Sequence, residues 1–113
     1  MNKITQILPD IGGDELEQIT QSISDKWLTE GPKSKEFLEH IKEFTGSKYA
    51  VLAPNGTLGL YLGLLALDLP KDSEIIIPSF TFFASASSAI FAGLKPVFVD
   101  VDPDTLLIDP AEV

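Results

Sequence analysis

The stretch that decides the fold is PNGTLGLYLGLL, which covers residues 54–65. Its Asn-Gly pair lies between apolar runs, a strong sequence signal for a β-hairpin turn, and its leucines alternate as in a strand. The same stretch also fits a helix, since Gly59 and Gly63 would give that helix a face for close packing. Leucines also recur at helical spacing, at Leu58, Leu62, Leu65 and Leu69. The flanking sequence decides between these two interpretations.

Three apolar runs surround this stretch, at residues 49–53 (YAVLA), 74–78 (EIIIP) and 95–102 (KPVFVDVD). Such runs are typical of strands that are buried on both faces. Residues 80–93, rich in alanine and serine, suit a helix packed closely on a sheet. This alternation predicts an α/β fold with a parallel sheet and flanking helices. Parallel neighbours need a crossover of a dozen or more residues, and 56–69 supplies one, so the helix is favoured over the hairpin.

The N-terminal third has a helical pattern. Asp14 and Glu17 resemble a capping box, and the spacing predicts a helix over residues 15–27. Ser34 is a candidate cap for a second helix that Gly46 ends. The predicted apolar stripe of this second helix comprises Phe37, Leu38, Ile41 and Phe44.

The change of pattern after the second helix divides the chain. We expect a helical segment over residues 1–47 and the start of an α/β domain over 48–113. Asp109 and Pro110 look like the start of a further helix just before the sequence stops. The α/β domain is therefore expected to be truncated.

Composition limits the possible partners. The 113 residues include 8 lysines, no arginine and 17 acids, for a formal net charge of −9. Nucleic acid is not an expected partner, because contacts to its phosphates need clustered Lys and Arg. With no cysteine, disulfides and thiolate metal sites are excluded as well. The longest apolar stretch, 58–67, is about half of the roughly 20 residues that a membrane span needs. We expect a soluble, cytoplasmic protein with no membrane partner.

The predicted helix over 56–69 begins in a way that suits an anion. Asn55 would be its N-cap, while Gly56 and Thr57 would occupy the first turn, where the N–H groups have no helical partner. Gly56 lets a ligand approach the backbone, and Thr57 adds a hydroxyl donor. These residues form a candidate phosphate site at the carboxyl end of a predicted strand. An ordinary capped helix that binds nothing remains the alternative.

A phenylalanine-rich loop follows the second predicted strand at the same edge of the sheet. In PSFTFF (78–83), one ring could stack on a flat ligand. Phe80 and Phe83 are expected in the core, and Phe82 is the candidate for stacking. The alternative places all three in the core.

Other candidate residues are weaker. Asp100, Asp102 and Asp104 resemble the start of a calcium loop, but Thr105 and Ala111 stand where that loop needs glycine and glutamate. Turn and capping roles are therefore expected for these acids. The single histidine, at position 40, lies among glutamates and is a poor metal or triad candidate. No catalytic residue and no metal site is predicted.

Taken in order, three of these stretches resemble the DegT/DnrJ/StrS family of sugar aminotransferases. They are WLTEGPKSKEFLEHIKEFTGSKYAVLAPNGTLGLYLGLLAL, EIIIPSFTFFASASSAIFAGLKPVFVDVDPDTLLIDP and the spacing between them, from about residue 8 to the end. The resemblance implies the N-terminal part of the large domain of a type I fold. It further implies a homodimer that uses pyridoxal phosphate to move an amino group from glutamate, or a similar donor, to a nucleotide-linked keto-sugar.

The resemblance also assigns roles to residues. Gly56 and Thr57 match positions that bind the cofactor phosphate, and Phe82 matches the aromatic residue that stacks on the pyridine ring. Asn55 stands where many members have serine, and the LTEGP turn (28–32) resembles a loop near the substrate entrance.

The family's Schiff-base lysine and its pyridine-pairing aspartate lie beyond residue 113, and none of the 8 lysines here is in a matching motif. The chain alone is therefore expected to be inactive. Two alternatives stay open: a non-catalytic α/β module that binds a phosphate-bearing ligand or a protein partner, and a domain whose apolar edge associates with itself.

Overall fold

The computed structural model describes residues 4, 5 and 7–113. It forms two compact units, Met1–Val51 and Leu52–Val113. The division into a helical segment, 1–47, and an α/β domain, 48–113, is retained as a proposal.

The N-terminal unit contains helix α1, Gly13–Ser24. The predicted start and the predicted capping box are both wrong. Gly12 is the N-cap, and its N–H donates to Glu15 Oε2 at 2.7 Å, so Glu15 takes the part expected of Glu17. The helix ends before residue 27 because Lys26 adopts a left-handed conformation, with φ of 55°.

Helix α2 spans Pro32–Thr45. It begins earlier than predicted, because Gly31 is the N-cap and Pro32, whose φ already suits a helix, fills the first turn in place of Ser34. The predicted stop at Gly46 is confirmed by a φ of 69°, which glycine adopts at little cost. No residue of α1 or α2 is buried, and the ring of Phe44 is 89% exposed.

The second unit contains helix α3 (Gly56–Ala66), strand β1 (Glu74–Pro78), helix α4 (Ala84–Phe91) and strand β2 (Lys95–Val99). A short 3₁₀ turn, Pro110–Glu112, follows. The helix predicted for PNGTLGLYLGLL is confirmed, and the hairpin is wrong. α3 ends three residues before the predicted limit, because Asp68 has a φ of 48°. β1 has its predicted bounds, whereas β2 is shorter than 95–102.

Strands β1 and β2 pair in parallel, with Glu74 opposite Lys95 and Pro78 opposite Val99. Helix α4 is the crossover between them, so the predicted βαβ unit and the α/β class are confirmed. The strand predicted at 49–53 is wrong, and so is its crossover through 56–69. A strand needs a neighbour for its N–H and C=O groups, and none of the residues in the described ranges pairs with 49–53.

The core of the second unit lies between the sheet and α4. Ile77, Ala89 and Leu94 are at most 5% exposed, and Leu64 of α3 packs against this cluster. The small side chains of α4 let its axis approach β1 and β2. The buried hydroxyls of α4 are satisfied locally, because Ser88 Oγ donates to the carbonyl of Ser85 at 3.2 Å.

The opposite face of this sheet is open. Ile76 is 45% exposed and Phe98 is 56% exposed, so the prediction of strands buried on both faces is wrong for this part of the chain. The leucines of α3 are also partly uncovered, and Leu60 is half exposed. Among the described residues, no helix combines the length and the apolar character that crossing a membrane requires.

Candidate functional site

The amino end of α3 is capped as predicted. Asn55 is extended, with φ of −165°, and its Oδ1 accepts a hydrogen bond from the N–H of Leu58 at 3.0 Å. The Asn55 carbonyl accepts from the N–H of Gly59 at 3.0 Å. The N–H groups of Gly56 and Thr57 and the Thr57 hydroxyl have no hydrogen-bond partner within the described ranges. Three donors are thus left at one end of the helix.

The surroundings of these donors suit an anion. The first turn of α3 carries no acidic side chain, so no local carboxylate opposes the positive potential of the helix dipole. An added Cβ at Gly56 would meet no atom within 4 Å, so the space in front of the backbone is open. Two N–H groups and one hydroxyl at a helix start are a donor set that fits a phosphate.

The phenylalanine-rich loop lies between β1 and α4. The Phe82 ring is 79% exposed, which leaves its faces available for stacking. Phe80 and Phe83 are 67% and 76% exposed, so their predicted core positions are wrong. The core positions next to Ile77 of β1 are taken instead by Ala86 and Ala89 of α4.

One groove joins the elements that carry these candidates. It has a volume of about 610 Å³ and brings the start of α3, the end of β1 and the first turn of α4 together. Thr57 and Phe82 do not line it. The lining residues at those three positions are Gly56, Pro78 and Ser85.

The aspartates after β2 have structural roles. Asp102 Oδ1 accepts hydrogen bonds from the N–H of Thr105 at 2.8 Å, from the Thr105 hydroxyl at 3.1 Å and from the N–H of Asp104 at 3.0 Å. These donors, the Thr105 N–H first, hold the pKa of Asp102 below its usual value. The predicted turn role of Asp102 is therefore confirmed.

Ser79 and Asp100 were missed by the sequence analysis as a pair. Ser79 Oγ donates to Asp100 Oδ1 at 3.3 Å across the carboxyl ends of β1 and β2. The available signal was positional: each residue directly follows a strand, and the carboxyl ends of parallel strands share one edge of the sheet.

The parallel pairing of β1 and β2 through the crossover helix α4 defines the class: an α/β protein with a parallel sheet. Comparison with known proteins identifies the family. Residues 9–113 match the DegT/DnrJ/EryC1/StrS aminotransferase family, and the chain belongs to it.

Relatives and solved structures agree with this assignment. The spore coat polysaccharide biosynthesis protein SpsC of Bacillus subtilis (strain 168) is 37% identical over 106 residues, which are 94% of this chain and 27% of SpsC. Spr1654 of Streptococcus pneumoniae in its PMP form, described as a sugar aminotransferase, superposes with a TM-score of 0.83 and 32% identity over 92% of this chain and 26% of its own.

A third relative shows a cofactor. The Escherichia coli GDP-4-keto-6-deoxy-D-mannose-3-dehydratase, with bound hydrated PLP, has a TM-score of 0.81 and 30% identity over 89% of this chain and 28% of its own. The type I fold class is thus confirmed. The chain spans about a quarter of the length of the relatives that it matches.

Proposed function

We propose that the protein containing this chain is a pyridoxal phosphate-dependent enzyme that transfers an amino group from glutamate, or a similar donor, to a nucleotide-linked keto-sugar. The main support for the proposal is the set of donors at the start of α3 that have no hydrogen-bond partner among the described residues, in a chain that belongs to this family over residues 9–113. The name of SpsC favours a role in polysaccharide biosynthesis.

The described residues fit the phosphate of this cofactor. The N–H groups of Gly56 and Thr57 and the Thr57 hydroxyl would hold the phosphate, while Asn55 keeps the helix start in place through its bond to Leu58. Phe82 would stack on the pyridine ring. When bound, pyridoxal phosphate supplies an electron sink for reactions at the carbon that bears the amino group.

The proposed role of these residues is to bind and orient the cofactor. Its 8 lysines include none in a motif that matches the family's cofactor lysine, so we assign no proton transfer to any of its residues. Activity is proposed for the whole protein and not for residues 1–113 alone. A cytoplasmic homodimer belongs to the same proposal. A net charge of −9 without arginine argues against nucleic acid as a partner.

Two substitutions in the whole protein test the assigned roles. Thr57→Ala and Phe82→Ala should each weaken pyridoxal phosphate binding by about threefold to tenfold, as expected for one lost hydrogen bond or one lost stacking contact. Equilibrium titration of the cofactor, followed by absorbance, measures this.

Matched controls lie on the N-terminal helices. Thr20→Ala removes a hydroxyl that donates to the carbonyl of Leu16, and Phe44→Ala removes a ring that is 89% exposed. Both control variants should bind the cofactor as the parent does. Unchanged binding in Thr57→Ala and Phe82→Ala would remove the two assigned roles.

A second candidate is a non-catalytic module that binds a phosphate-bearing ligand. It is favoured by one observation, that the donor set at the start of α3 lies wholly within these 113 residues. Formation of 2-oxoglutarate from glutamate by the cofactor-loaded protein supports the enzyme. Cofactor binding without that product supports the module.

A further inference from the structure

Two side-chain hydrogen bonds hold the loop that carries Phe82. Ser79 Oγ donates to Asp100 Oδ1 at 3.3 Å and holds the start of the loop. Thr81 Oγ1 and Ser85 Oγ lie 3.0 Å apart and close a bond across the segment that contains Phe82. Phe82 itself is 79% exposed and is not among the described residues that form the core cluster or pack against it.

The bond between Ser79 and Asp100 joins two strands and not two neighbours in sequence. Asp100 comes 21 residues after Ser79 and directly follows β2. Its Oδ1 also accepts the N–H of Val101 at 2.8 Å, so the carboxylate is held by its own backbone. The N–H of Ser79 donates to the carbonyl of Val99 at 2.8 Å and extends the parallel ladder by one bond. The first residue of the loop is therefore fixed to the sheet through both its backbone and its side chain.

We infer that Ser79 and Asp100 are positioning residues that set the loop of Phe82 before the cofactor binds. The inference rests on the proposed function, since it concerns the ring that Phe82 would stack on. An exposed ring on a loose loop must lose conformational freedom when it stacks, and this lowers affinity. A carboxylate acceptor strengthens the hydrogen bond relative to a neutral one, which favours a preset loop.

The test distinguishes an effect on binding of the cofactor's pyridine ring from an effect on binding of its phosphate. Ser79→Ala removes the hydroxyl and keeps the backbone bond to Val99. Two dissociation constants are measured on the full-length protein: that of pyridoxal phosphate by titration, and that of inorganic phosphate by competition. We expect Ser79→Ala to weaken pyridoxal phosphate by about threefold to tenfold and to leave inorganic phosphate unchanged. Ser79→Thr, which keeps a hydroxyl, should restore parent affinity.

The matched control is at the other end of the same strand. Ser73 Oγ donates to the carbonyl of Pro70 at 2.7 Å, next to the amino end of β1. Ser73→Ala removes the same chemical group there and should leave both dissociation constants unchanged. Visible circular dichroism of the bound cofactor should change in Ser79→Ala and not in Ser73→Ala, because that signal reports how the ring is held.

Each outcome decides the inference. Unchanged pyridoxal phosphate affinity in Ser79→Ala overturns it while leaving the proposed function standing. Equal losses for pyridoxal phosphate and inorganic phosphate also overturn it, because the variant then acts on the fold and not on the ring. A parent protein that binds no pyridoxal phosphate overturns the proposed function, and this inference with it.

Discussion

Replacing Gly31 by alanine should displace the chain's single tryptophan, Trp27. An ideal Cβ at Gly31 would lie 2.0 Å from Trp27 Nε1 and 2.3 Å from Cδ1. Non-bonded heavy atoms prefer separations of about 3.5 Å, so the indole must move by roughly 1.5 Å. The backbone of Gly31, with φ of −168°, accepts alanine without strain, so the indole moves and not the chain.

Displacement of the Trp27 indole also removes a hydrogen bond. Trp27 Nε1 donates to the carbonyl of Glu30 at 2.9 Å and closes the turn that leads into α2. A displacement of this size breaks the bond, which is worth about 0.5–1.5 kcal/mol net. We expect the free energy of unfolding of the N-terminal unit to fall by an amount in that range.

The single tryptophan gives the assay a direct signal. Gly31→Ala should shift the emission maximum of Trp27 to longer wavelength, because a displaced indole is more hydrated, and should weaken the near-ultraviolet circular dichroism. Gly13→Ala is the control, since an added Cβ there meets no atom within 4 Å. Identical tryptophan spectra in Gly31→Ala and the parent would refute the reasoning.

Three further predictions follow from the same geometry. Asn55→Ala should lower the free energy of unfolding by about 1 kcal/mol, because it removes the cap hydrogen bond from the Leu58 N–H. Asn55→Asp keeps an acceptor oxygen and should retain most of the parent stability. Chemical denaturation measures both variants, and equal stability of Asn55→Ala and the parent would show that the cap does not stabilise the helix. In an NMR titration, the pKa of Asp102 should lie below the ordinary aspartate value, because the Thr105 N–H, the Thr105 hydroxyl and the Asp104 N–H donate to the carboxylate. The stability that this carboxylate adds to the turn is present above the unfolded pKa and is lost as pH falls through the folded pKa. Thr105→Val should reverse part of the pKa shift, and a pKa at or above the ordinary value would contradict the prediction. Residues 1–113 alone should self-associate, because the leucines of α3 and the open sheet face leave apolar surface uncovered; sedimentation showing a cooperative monomer would count against this.

Elements whose signals are local could be predicted from the sequence. The start of α3 follows from Asn55, whose side chain caps the helix through a residue three positions away. The end of α2 follows from Gly46, because glycine adopts a positive φ at little cost. The bounds of β1 follow from its continuous β-branched run. The local prediction for the start of α2 was wrong, because α2 begins after Gly31 with Pro32 in its first turn and not at Ser34.

The candidate phosphate site was predictable for the same reason. The unpaired N–H groups of Gly56 and Thr57 are a property of any helix start, so recognising the helix identifies the donors. The family resemblance added the proposed identity of the ligand and the role of Phe82. Neither followed from periodicity or spacing.

The sequence by itself therefore determined the presence of the four helices, the cap of α3 at Asn55, the end of α2 at Gly46 and the donor set of α3, because each depends on residues within a few positions of one another. The tertiary structure alone decided which apolar runs are strands and which rings are buried. Residues 49–53 have strand composition but no strand partner among the described residues, and Phe80 is apolar but 67% exposed. Ser79 and Asp100 are 21 residues apart in sequence, and they meet only because β1 and β2 pair in the parallel register that places Pro78 opposite Val99.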